Sequence, residues 1–131
     1  MCVFCKIIDE DIPSTKVYED DEVLAILDLS QVTKGHTLVL PKKHYANFLE
    51  IPADELGSMI KKVQMIAEKV TTKLNAKGFN ILVNTNEVAG QTVMHLHFHI
   101  IPRYDQNDGI TIDFKESGLD LNEVIKEIQT L

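Results

Sequence analysis

The order of patterned segments predicts an α+β domain. Extended apolar runs fill the middle of the chain, and one long amphipathic helix stands alone among them instead of alternating with strands. Val17-Tyr18-Glu19-Asp20 and the run from Glu22 to Asp28 predict a hairpin turning at Asp20-Asp21, with a second arm apolar enough to be buried. Gly35 introduces a strand over 36–40, and Pro41 stops it. Between Pro52 and Lys73, Leu56, Met59, Ile60, Val63, Ile66, Ala67 and Val70 recur every three or four residues, with Leu74 next in the series. Pro52 suits a first turn, Asp54 and Glu55 complement the helix dipole, and Gly78 lies just beyond the end. Phe79 to Thr85 and Met94 to Ile101 predict two more strands around a polar loop over 86–92. Leu121, Val124, Ile125 and Ile128 predict a short helix near the end.

The 131 residues form no repeat and contain no linker, so residues 1–131 are expected to be one domain. Hydrophobic residues make up 44% and charged residues 25%, which is globular rather than disordered usage. Lys and Arg number 13 against 20 Asp and Glu, a net charge of −7 that argues against nucleic acid as a partner. A small anionic ligand is compatible with that balance, because a local site can be positive within an acidic protein. The longest aliphatic run, Val23 to Leu27, is too short to cross a bilayer, and the first residues lack the pattern of a secretory signal. The expectation is a soluble, cytoplasmic protein with no membrane partner.

Cys2 and Cys5 are the only cysteines, and their spacing fits a metal half-site, a redox pair or two unremarkable thiols. The segment His95-Leu96-His97-Phe98-His99-Ile100-Ile101 is more specific. In a strand, His95, His97 and His99 share one face, while Leu96, Phe98 and Ile100 face a core. Packing alone does not explain such a row, since every imidazole brings two nitrogens that need partners. Two chemistries fit it. The imidazoles could hold a catalytic zinc with an open position, or one could be a nucleophile whose neighbours handle phosphate and protons.

The row matches the His-φ-His-φ-His-φ-φ signature, with φ apolar, of the histidine-triad (HIT) family, which the sequence resembles over about residues 3–103. Ile7-Ile8, Ile12-Pro13, Ala25-Ile26-Leu27-Asp28, the segment from Gly35 to His44, Asn80 to Asn84, and Ala89 to Val93 extend the match. The resemblance is nearest to the small nucleoside phosphoramidases. His99 stands where the nucleotidyl-transferase branch has Gln, which points to hydrolysis. The resemblance implies a five-stranded antiparallel sheet with one long and one short C-terminal helix, paired in a homodimer. It implies that His97 is the nucleophile toward the α-phosphorus of a nucleoside 5′-phosphate derivative, with His36, His95 and His99 completing the catalytic set. Asn84, Gln91 and Thr92 would donate to the phosphoryl group, and Asp28 would accept from the ribose hydroxyls. Phe4, Ile7, Ile12 and Ile26 would wall a purine base, although Asp28 is also a natural turn residue and the apolar four are natural core.

Some bacterial members hold a structural zinc, and their ligand pattern corresponds here to Cys2, Cys5, His44 and His95. The partners implied are a purine nucleotide or nucleotidyl conjugate and a second copy of the chain. Residues 104–131 have no clear counterpart, and the chain lacks the C-terminal tryptophan of the animal phosphoramidases. The alternatives are a dinucleoside polyphosphate hydrolase, a non-enzymatic nucleotide sensor or adaptor, and a zinc hydrolase that uses the triad as ligands.

Overall fold

The structure, a computed structural model, describes residues 2–130. Five strands form one antiparallel sheet in the order β1-β2-β3-β5-β4: β1 Lys16–Glu19, β2 Val23–Leu27, β3 Thr37–Pro41, β4 Gly78–Leu82 and β5 Phe98–Arg103. The helices are α1 Val3–Ile8, α2 Ala53–Lys73 and α3 Leu121–Gln129. The expected α+β class is the observed one. No described helix is long and apolar enough to cross a membrane.

The β1–β2 hairpin turns where the acidic pair predicts. Asp20 Oδ1 accepts from the backbone N–H of Glu22 and Val23, and Lys62 of α2 lies 2.9 Å from Oδ2. Burial of Asp20 opposes ionisation, but Lys62, these N–H groups and the Tyr18 hydroxyl hold its carboxyl well below the usual range.

Both faces of the sheet are covered at β2 and β3, which is why β2 is apolar throughout and β3 is apolar from Leu38 on. On one face α2 buries Met59, Val63, Ile66, Ala67 and Val70 against Val23, Ala25, Val39, Leu96, Phe98 and Ile100. On the other, Phe4 of α1 packs with Leu24, Ile26, Leu38 and Leu40. Each large apolar side chain buried this way contributes about 1.5–3 kcal/mol. The helix α1 has too few residues to show a period, and the sequence reading placed no helix there.

Several boundaries move for local reasons. The strand expected from Met94 begins only at Phe98. Its first residues bond elsewhere: the Leu96 N–H donates to the Tyr45 carbonyl at 2.7 Å, and the His95 carbonyl is taken by a histidine ring. The alternation nevertheless persists, with Leu96, Phe98 and Ile100 in the core under α2. Pro41 and Pro102 lie inside strands rather than beyond them. Pro41 is the terminal residue of β3, and Pro102 lies past the last β3–β5 pair, Thr37 with Ile100. The strand expected to reach Thr85 ends at Leu82. Asn75, at φ 57°, turns the chain after α2, and Gly78 opens β4 instead of closing the helix.

The short C-terminal helix is where the apolar spacing puts it, capped by the Asp120 carboxylate accepting from the Asn122 N–H. No residue of α3 is buried, and Leu121 is 80% and Ile128 61% exposed.

Candidate active site

The site forms on the α1 face of the sheet, where β5 begins and the loop from β4 returns. Its central feature is a backbone contact. The His97 Nδ1 lies 2.7 Å from the carbonyl oxygen of His95. A carbonyl only accepts, so Nδ1 carries the proton and donates, leaving Nε2 with its lone pair. His97 is half-buried and lines a cleft of about 450 Å³. The Phe4 ring stands edge-on to the imidazole with centroids 5.0 Å apart.

His95 itself is fully buried and faces away from the reaction cleft. Its Nε2–H donates to the Pro41 carbonyl at 2.8 Å, so its lone pair is on Nδ1. That Nδ1 lies 3.5 Å from Cys2 Sγ, 3.6 Å from Cys5 Sγ and 3.1 Å from His44 Nδ1, and Cys5 Sγ lies 3.4 Å from His44 Nδ1. Tetrahedral zinc with ordinary bond lengths separates its S and N ligands by about 3.5 Å and its N ligands by about 3.3 Å. The four side chains therefore fit a closed Cys2His2 centre. The Pro41 carbonyl is the outer partner that fixes the ring and its tautomer.

His36 and His99 form a second pair. His36 Nε2 and His99 Nδ1 are 2.9 Å apart and share one proton, and Asp28 Oδ2 is 3.7 Å from the same His36 nitrogen. Burial, then the neighbouring His97 and His36, push the His99 pKa down to about 4 against the opposing pull of Asp28. Burial likewise lowers His36, again against Asp28. Both rings are neutral near pH 7.

Most residues expected from the sequence meet at this cleft. Phe4, Ile7 and Ile26 form apolar wall, while Asp28, Asn84, Thr92, His97 and His99 supply polar groups. Asp28 Oδ1 closes a turn onto the Ser30 N–H, and the residue also lines the cleft. Gly90, at φ 106°, lets the loop close over Asn84, because an added Cβ would come within 3.3 Å of its amide nitrogen.

His36 and His95 do not line the cleft, and two further expected residues stand apart from it. Ile12 is half-buried but does not line the cleft. Gln91 is 2% exposed and its amide is turned inward. Its Nε2 donates to the carbonyls of Ala46 and Val93, and its Oε1 accepts from the Asn86 N–H. It braces the loop rather than facing a ligand. Sequence reasoning missed Leu29, Ser30 and Val93 of the lining, and the Tyr45 and Pro41 carbonyls that place the triad. Backbone carbonyls carry no residue-type signal that would reveal them.

A HIT domain matches residues 9–106, three-quarters of the chain. The chain belongs to the HIT family. It is 55% identical over 130 residues to a HIT-like protein of Methanocaldococcus jannaschii, covering 98% of this chain and 99% of that protein. HIT relatives with named activities include the adenosine 5′-monophosphoramidase HNT1 of Candida albicans, 33% identical over 95% of this chain and 85% of its own length. Another is the adenylylsulfatase HINT3 of Arabidopsis thaliana, 42% identical over 81% of this chain and 54% of its own. Among solved structures, a HIT protein of Bacillus anthracis superposes with TM-score 0.91 at 44% identity, covering 98% of this chain and 93% of that one. A zinc-bound HIT protein of Mycobacterium smegmatis superposes with TM-score 0.77 at 37% identity, covering 93% and 86%. At the level of the family, nucleotide hydrolases are among these relatives.

Proposed function

We propose that this HIT protein is a cytoplasmic, homodimeric hydrolase of nucleoside 5′-phosphoramidates or related nucleotidyl conjugates. The proposed reaction passes through a nucleotidyl group on His97 and releases a nucleoside monophosphate. The observation that carries the reading is the 2.7 Å bond from His97 Nδ1 to the His95 carbonyl, which leaves Nε2 as the free nucleophile in the cleft. The activities named for the Candida and Arabidopsis relatives support the substrate class.

In the first step Nε2 attacks the α-phosphorus, a P–N bond to the ring forms, and the bond to the leaving amine breaks as the amine takes a proton drawn from water and relayed by the His36–His99 pair. His97 acquires positive charge in this step, and the His95 carbonyl stabilises it. Asn84 and Thr92 would donate to the phosphoryl oxygens, where charge develops. The neutral His36–His99 pair handles protons without repelling the charged His97. In the second step water attacks phosphorus and gives its proton back to solvent through the same pair, the P–N bond breaks, and His97 is regenerated with Nε2 free. Dividing one difficult displacement into two is the advantage of a covalent intermediate. Asp28 would accept from the ribose hydroxyls, and Phe4, Ile7 and Ile26 would hold the base.

Cys2, Cys5, His44 and His95 would hold a structural zinc, and the zinc-bound M. smegmatis relative supports this assignment. Bound there, the ion ties the chain start to the residue whose carbonyl orients His97. A steady-state comparison of adenosine and guanosine phosphoramidates with diadenosine polyphosphates tests the substrate class. Phosphoramidates should have the highest kcat/KM; preferential cleavage of the polyphosphates would replace this reading with that alternative.

A further inference from the structure

We propose that Asp28, His36 and His99 form a second metal site, one that takes a first-row divalent cation of the nickel or copper type and closes the nucleotide cleft. The three offer one carboxylate oxygen and two imidazole nitrogens, all within 4.8 Å of one another. They come from three separate places in the chain: just after β2, just before β3 and within β5. The set is distinct from the Cys2His2 centre and shares no residue with it.

The spacing favours a particular geometry. Two nitrogens 2.9 Å apart, each about 2.05 Å from a metal, subtend an angle of about 90°. That angle suits octahedral or tetragonal ions better than tetrahedral ones, and two imidazoles with one carboxylate are a ligand set that leaves further positions open. Asp28 Oδ2, 3.7 Å from His36 Nε2, requires only a side-chain adjustment to complete the face. As the metal takes its place, the proton now between the rings would move so that His36 Nδ1 and His99 Nε2 carry the ring protons, at the expense of the 3.5 Å hydrogen bond from the Val32 N–H to His36 Nδ1 and with no change in total charge on the imidazoles.

The proposed effect on function rests on the nucleotide-hydrolase reading. Asp28 and His99 both line the cleft, so a cation held by them withdraws the ribose acceptor and one of the proton-handling rings together. Metal and nucleotide should therefore exclude one another.

The test uses full-length protein with its Cys2His2 centre saturated by zinc, titrated with nickel(II) alone and followed by calorimetry and by paramagnetic broadening in NMR spectra. One further equivalent should bind, broadening signals of Asp28, His36 and His99 first. Asp28→Asn and His36→Asn should each weaken binding at least about tenfold, the scale on which even supporting partners of metal ligands act. Asp28 is partly exposed and its replacement keeps the strand-end turn, so that variant protects the test if His36→Asn does not fold. Adenosine at saturation should abolish the nickel isotherm. Absence of a further nickel equivalent, or undiminished binding in Asp28→Asn, would overturn the site. Simultaneous binding of nickel and adenosine would overturn its closing role. Failure of adenosine to bind metal-free protein would count instead against the nucleotide reading, while the nickel isotherms of the variants still judge the site.

Discussion

The His95 carbonyl accepts from His97 Nδ1 at 2.7 Å while the His95 ring reaches Cys2, Cys5 and His44 on the other side. One residue thus belongs to two sites, its ring to the candidate zinc centre and its backbone to the candidate nucleophile.

Chelation of zinc, or Cys5→Ser, should lower the melting temperature and raise the susceptibility of residues 2–8 to proteolysis. A structural ion bound only by the folded chain adds its binding free energy to stability. Elemental analysis of untagged protein should find one zinc per chain. A metal content near zero, with unchanged melting in Cys5→Ser, would remove the ion from the account.

Gln91→Ala should cost about 1–3 kcal/mol, because it leaves the Asn86 N–H and the Ala46 carbonyl without their partner. Urea unfolding measures this directly. Unchanged stability with a large rise in KM would return Gln91 to the role of a substrate contact.

His99 should stay neutral on acidification well past the ordinary histidine midpoint. Its pKa is lowered by burial to about 4, so the folded state takes up this proton later than the unfolded chain. The stability associated with the neutral ring is complete above about pH 6.5 and is lost as pH falls toward 4. NMR titration of the imidazole should place the midpoint near 4, and His99→Asn should flatten the stability slope in that window. A midpoint near 6.5 would contradict the buried pair.

How much of this was legible in the sequence depended on which atoms carried the information. Alternation around His95, His97 and His99 announced the site, and the apolar spacing from Leu56 to Val70 announced α2, because side-chain identity alone sets those patterns. The Tyr45 and Pro41 carbonyls, which hold the Leu96 N–H and the His95 ring, carried no such signal, because every residue type possesses a carbonyl. Gln91 looked like a donor for the same reason that it braces the loop so well: an amide serves either purpose, and only its surroundings decide. Helix α1 escaped because its stability comes from packing Phe4 onto Leu24, Leu38 and Leu40, contacts distant in sequence.

The outer edge of β4 should be the dimer seam. It is the last strand of the sheet, and Phe79 and Ile81 are 46% and 43% exposed on it. An unpaired apolar edge is a template for pairing with another chain. Light scattering at micromolar concentration should give twice the 14.8 kDa chain mass, and Ile81→Lys should shift it toward one. A single-chain mass for the unaltered protein would refute the homodimer.

The central claim is covalent chemistry at His97, and rapid quenching with a phosphoramidate labelled in its nucleoside tests it most directly. One labelled nucleotidyl group per chain should appear on His97 within a turnover, mapped by mass spectrometry after proteolysis. His97→Ala should hold its fold, trap no label and lose turnover by at least about a thousandfold, the range seen when a nucleophile is removed. Label recovered on another residue, or full turnover in His97→Ala, would contradict the account.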